Sequence, residues 1–177
     1  FRHDRTVLLD AQGAPLYVMV DGQAAEIGSV RSMLMALEPL IAQARALRPD
    51  QRRPPPVDSG AGESARTAPA APPPAATDFA VIDGKPALVA ALPIIGEGQA
   101  PRLRPGTEPI IVAVQFLDDQ AADQISREFL FDDGQFSLVE SKDPNRVVYP
   151  VLNGNGRFVA FLNGTGIAPA LSCCCRP

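Results

Sequence analysis

The pattern of apolar and polar positions is sharpest at residues 108–129, EPIIVAVQFLDDQAADQISREF. Residues 110–117 have the length and β-branched content of a strand buried on both faces, or on one face of a sheet with a helix packed over the other. This predicts a central strand. Asp118 and Asp119 then offer side-chain oxygens to the unpaired N–H groups of a new helix, and Ala122, Ile125 and Phe129 recur at helical spacing.

The same reading extends along the chain. Residues 6–10 (TVLLD) and 16–20 (LYVMV) flank AQGAP, whose Gly13 and Pro15 are turn residues, and together they predict a hairpin. From Ile27 the apolar residues Val30, Leu34, Leu37, Ile41 and Leu47 return at helical steps, with Met33 and Met35 beside the stripe. Core filling is the expected role of both methionines. Pro39 lacks an N–H and clashes with the preceding turn, which predicts a kink or break near Glu38. Residues 78–82 and 87–92 form a second hairpin around Asp83-Gly84, a dipeptide suited to a two-residue turn. Pro93, Ile94 and Ile95 continue extended before a Gly- and Pro-rich connection at 96–106. After the helix that begins at Asp119, residues 131–134 read as a turn, and 136–139, 147–152 and 158–162 as returning strands, the last pair joined by a tight NGNG turn at 153–156.

Composition changes this picture in one place. The chain has 177 residues, enough for one domain, and 19 prolines, which concentrate in residues 49–77. That stretch has almost nothing to bury against its ordering entropy and is expected to be a disordered insertion within a single domain. The first part alone, under about 50 residues, is too short for a comfortable core. Residues 164–177 carry no periodicity and are expected to form an irregular tail. The three cysteines, Cys173, Cys174 and Cys175, all lie in it, so the body has no thiols.

The net charge of −4 argues against a nucleic-acid partner, since no basic face is available to release counterions from phosphate. No run approaches the roughly 18 apolar residues of a membrane helix. The sequence begins at Phe1 without an initiator methionine, which leads us to expect a piece of a longer chain.

Candidate chemistry is sparse. His3 is the single histidine and has no partner for a triad or metal site. Asp118-Asp119 and Asp132-Asp133 suit helix capping and turns better than paired acid and base work. NGNGR at 153–157 lacks the spacing of a phosphate loop, and the cysteine triplet matches no zinc spacing. No catalytic residue, metal ligand or cofactor is expected, and this segment is not expected to be an enzyme.

The order hairpin, helix, hairpin, central strand, helix, returning strands is similar to that of PAS-like and Cache-like sensory modules. The phrases VLLDAQGAPLY (7–17), VIDGKPALVAALPII (81–95) and IIVAVQFLDD (110–119) resemble the CHASE-type extracytoplasmic sensor domain, specifically its fourth type. The resemblance runs over about residues 6–162 and rests on hydrophobic phrases and turn positions. It implies an α+β fold: a single PAS/Cache-like domain over 1–177, with a central, mainly antiparallel sheet flanked by helices. It further implies a periplasmic location as part of an inner-membrane protein, flanking transmembrane helices, and a cytoplasmic output such as a diguanylate cyclase, a cyclic-di-GMP phosphodiesterase or a histidine kinase. A homodimer is compatible with it, and so is a periplasmic partner. The alternative reading is a cytosolic PAS-like regulatory or protein-interaction module.

A sensed small molecule is expected between the sheet and the helices or loops that cover it. The candidate ligand-binding residues are Tyr17 and Met19 on the second strand, Arg31 on the helix, and Ile94 and Arg104 around the connection. An arginine there favours a carboxylate or phosphate.

Overall fold

The computed structural model describes residues 3–47, 75–94, 104, 106–129 and 132–165. In chain order the strands are β1 (Arg5–Leu9), β2 (Pro15–Val20) and β3 (Gln23–Ala24), followed by a 3-10 turn at Ile27–Val30 and helices α1 (Arg31–Ala36) and α2 (Glu38–Ala46). Then come β4 (Ala76–Ile82), β5 (Lys85–Pro93), β6 (Ile110–Phe116), α3 (Asp119–Phe129), β7 (Asp132–Ser137), β8 (Val147–Leu152) and β9 (Phe158–Thr165). The fold is α+β, built on antiparallel sheets.

Two sheets form. The larger has six strands in the order β3-β2-β1-β6-β5-β4, and the smaller has three in the order β7-β9-β8. The expected central strand is therefore interior, as its apolar content demands: β6 lies between β1 and β5. The strands after α3 do not return to that sheet. They pair with one another, with β9 in the middle. Residues 132–134, read as a turn, are already strand β7, whereas Leu138 and Val139 lie beyond its end. Ala76 and Thr77 open β4, and Gly164 and Thr165 complete β9. Residues 49–74 of the proline-rich stretch and 166–177 of the tail lie outside the described residues.

By packing, the chain divides into two compact units, residues 1–78 with 89–115, and residues 79–88 with 116–177. In the first, the register sets Val18, Val7 and Val112 side by side across β2, β1 and β6, and Pro15, Leu9 and Ile110 in the next row on the same face. The valines, Leu9 and Ile110 are at most 1% exposed. The helices contribute a buried stripe to this core, Val30, Met33, Leu37, Leu40 and Ala44. Met33 is thus core, as expected. Leu34 and Ile41, placed in the core stripe by the sequence pattern, are only half-buried, and Met35 is exposed. The helix breaks at Leu37, with Pro39 in the first turn of α2, where its missing N–H costs nothing.

In the second unit Asp83 (φ 50°) and Gly84 (φ 74°) both take the left-handed conformation that a two-residue turn of this hand needs. Asp118 caps α3, its Oδ1 accepting the Ala121 N–H at 2.9 Å. Ala121 and Ala122 are buried, and α3 packs against β7. The tight turn before β9 is held by Asn153, whose Oδ1 accepts the N–H groups of Asn155 and Arg157.

Candidate functional site

The first unit carries an open groove of about 680 Å³ between the β1–β2 turn and the two helices. The turn wall is made by Leu9, Gln12, Gly13 and Pro15. Its shape comes from Asp10, whose Oδ1 accepts the N–H groups of Gln12 and Ala14, both at 2.8 Å. Gly13 sits at φ 88°, a conformation costly for any residue with a Cβ.

The helix wall runs from Ile27 and Gly28 through Arg31, Leu34, Met35, Glu38, Ile41 and Ala42 to Arg45. Arg45 ties the walls together. Its guanidinium donates to the carbonyl oxygens of Ala11 at 2.6 Å, Asp10 at 3.0 Å and Gly106 at 3.1 Å. A rigid planar fork can reach three acceptors at once, which fixes the end of α2 against the turn. Gly106 is held in turn by Glu108, whose largely buried carboxylate accepts the Gly106 N–H at 2.6 Å. The groove is therefore apolar along its length, carries Arg31 and Glu38 on its helix wall, and is pinned where Arg45 crosses it.

Of the ligand-binding candidates, Arg31 lines this groove. The others do not. Tyr17 pairs with Leu8, which pairs with Ile111, and Met19 with Thr6, which pairs with Ala113. These rows alternate with the Val7 and Leu9 rows and so lie on the other face of the sheet. A register shift between Leu8 and Leu9 brings Pro15, in place of Leu16, opposite Leu9 and thus into the groove. Ile94 donates its N–H to the Pro109 carbonyl at 2.8 Å, and the carbonyl of exposed Arg104 accepts from Thr107. The groove thus brings together one of the five expected residues with Gln12, Glu38 and Arg45, which sequence reasoning missed. Arg45 reaches backbone atoms 34 to 61 residues away, and no local pattern announces such contacts.

An open groove with charged side chains on an apolar wall has the shape to hold a small ligand or a partner segment. A family model described as the CHASE4 domain matches residues 1–137, which span the whole six-stranded sheet, both groove helices, α3 and β7. The chain belongs to the CHASE4 family, extracellular sensory domains found in signalling receptors that catalyse no reaction themselves. Comparison with curated proteins gives no match.

Proposed function

We infer that this chain is the extracytoplasmic sensory domain of a transmembrane receptor, the periplasmic part of an inner-membrane protein. Its input biases a two-state equilibrium that passes through flanking membrane helices to a cytoplasmic output, such as cyclic-di-GMP synthesis or hydrolysis. The input is a small-molecule ligand or a periplasmic partner, and the fold acts in the manner of PAS and Cache modules. Membership of the CHASE4 family carries this reading. The groove adds a physical reason: an occupant held between the β1–β2 turn and the helices changes the stability of one helix arrangement relative to another, and only such a difference in affinity shifts the equilibrium. Among the described residues no helix is long and apolar enough to cross a membrane.

The test is topological first. Alkaline phosphatase joined after Thr165 in the intact receptor should be active, and green fluorescent protein at the same place should be dark. The reverse result makes the chain a cytosolic module. A thermal-shift screen of amino acids, organic acids and polyamines then looks for native-state binding, which at ligand concentrations 100 times Kd adds about 2.7 kcal/mol.

A further inference from the structure

The groove wall repeats every seven residues. Ile27, Leu34 and Ile41 form one row, Gly28, Met35 and Ala42 a second, and Arg31, Glu38 and Arg45 a third. Seven residues is about two turns of an α-helix, so Leu34 with Ile41, Met35 with Ala42, and Arg31 with Glu38 and Arg45 run along α1 and α2, while Ile27 and Gly28 extend the same wall from the tighter 3-10 turn that precedes them. The break at Leu37 does not put the rows out of phase: the Leu37 N–H donates to the Met33 carbonyl and the Ile41 N–H to the Leu37 carbonyl, both at 3.0 Å. The core is filled by a separate stripe, Val30, Met33, Leu37, Leu40 and Ala44. Beside that core stripe the helices present a second, groove-facing set of apolar residues, with Ile27 49% and Met35 71% exposed and Leu34 and Ile41 half-buried. From Ile27 to Ala42 such a face is roughly 20 Å long at 1.5 Å per residue, more than a small metabolite covers.

We propose that a second copy of this chain occupies this face, its α1–α2 segment running antiparallel to the first about a two-fold axis between Leu34 and Met35. The register follows from charge. In it Arg31 faces Glu38 of the second copy, and by symmetry Glu38 faces the second Arg31, giving two opposite-charge contacts. A parallel pairing sets arginine on arginine and glutamate on glutamate, and an antiparallel pairing centred on Glu38 opposes the two carboxylates. Size agrees with charge. The same register sets Leu34 against Met35, Ile27 against Ala42 and Ile41 against Gly28. Above Gly28 the space is empty: a Cβ built there meets nothing within 4 Å. Arg45 is engaged by backbone carbonyls and plays no part in the pairing.

This deepens the sensor reading by naming the surface through which two receptors compare states, but association is measurable without it. Sedimentation equilibrium of the 177-residue chain from 1 to 500 µM should show a concentration-dependent dimer. Arg31→Glu and Glu38→Arg each place like charges together at both contacts and should weaken the dimer about tenfold or more. The double reversal should return it to within about threefold of the parent. Gly28→Leu fills the empty space and should abolish the dimer with the circular dichroism spectrum and melting temperature of the monomer kept. A monomer at every concentration overturns the proposal. So does a dimer indifferent to both single reversals, or a double reversal no stronger than the singles. If the chain stays monomeric and 3-phenylpropionate raises its melting temperature in a way that Arg31→Gln removes, the groove belongs to a small organic anion instead. The topology experiment can fail independently of all of these.

Discussion

The two packing units bury their apolar residues in different ways. In the unit of residues 1–78 and 89–115, the core is made of large side chains removed almost wholly from water: Val7, Leu9, Val18, Val30, Val89, Ile110, Val112 and Val114. In the unit of residues 79–88 and 116–177, burial falls largely on Ile82, Ala87, Leu117, Ala121 and Ala122; the three-stranded sheet, among the described residues, buries the apolar Val159 and Ala160, while Val147, Tyr149, Leu152 and Phe158 stay exposed. Phe158 and Phe161 compensate in part by packing their rings 4.6 Å apart. The difference follows from position. A strand such as β6, with hydrogen-bonded neighbours on both sides and a core over one face, loses all its water there: Ile110, Val112 and Val114 are fully buried, while Ile111 and Gln115 on the other face are half-buried. A three-stranded sheet with two edges does not. The larger sheet thus rests on shape-matched aliphatic packing, and the smaller on backbone pairing and a few small residues.

The largest predicted effect separates the two directly. Leu9→Ala removes a side chain that is 1% exposed and sits between Pro15 and Ile110. It should cost about 2–5 kcal/mol in urea unfolding monitored by circular dichroism. Leu152→Ala, at a position 47% exposed on β8, should cost under about 0.5 kcal/mol. Equal costs would mean that exposure does not distinguish the two cores, and the contrast would fail.

What the sequence made legible follows the same division. Both hairpins, the interior strand, the break before Pro39 and the capped helix α3 were readable because their signals are local: turn residues, alternation, a cap, a missing N–H. Three features were not. The phase of the groove helices was ambiguous because Val30, Met33 and Leu37 compete with Ile27, Leu34 and Ile41, two apolar stripes on one segment. The face on which Tyr17 and Met19 lie depends on pairing register, which a single skipped residue at Leu16 decides. The separation of β7, β8 and β9 into their own sheet depends on which edges meet, and strand propensity is silent about that.

Arg45 sharpens the comparison, because a single side chain ties the first unit together where the smaller sheet is held by the backbone pairing of β9 with β7 and β8. Arg45→Met keeps the stem and removes the donors to Asp10, Ala11 and Gly106, leaving part-buried carbonyls without those partners. A loss of about 2 kcal/mol is expected. Arg45→Lys should recover less than half of it, since one ammonium cannot span three acceptors fixed by a planar fork. Full rescue by lysine would show that charge alone, and not the fork, holds α2 to the turn.

The smallest effect sets two glycines of the same groove against each other. Gly13 has φ 88°, and an added Cβ would come within 3.7 Å of an Arg45 guanidinium nitrogen. That distance is ordinary contact, so the cost of Gly13→Ala lies in the backbone and should be about 1 kcal/mol. Gly28 belongs to the 3-10 turn leading into α1, has no left-handed φ, and has open space where its Cβ would stand. Gly28→Ala should therefore stabilise the chain, by at most about 0.5–1 kcal/mol, through the narrower choice of conformations left to its unfolded state. Measured at a few micromolar, where the chain is expected to be monomeric, the two substitutions should shift the unfolding midpoint in opposite directions. A loss at Gly28 as large as that at Gly13 would mean that the space above Gly28 is filled within the monomer, and would remove the socket into which the Ile41 of a second copy is proposed to fit.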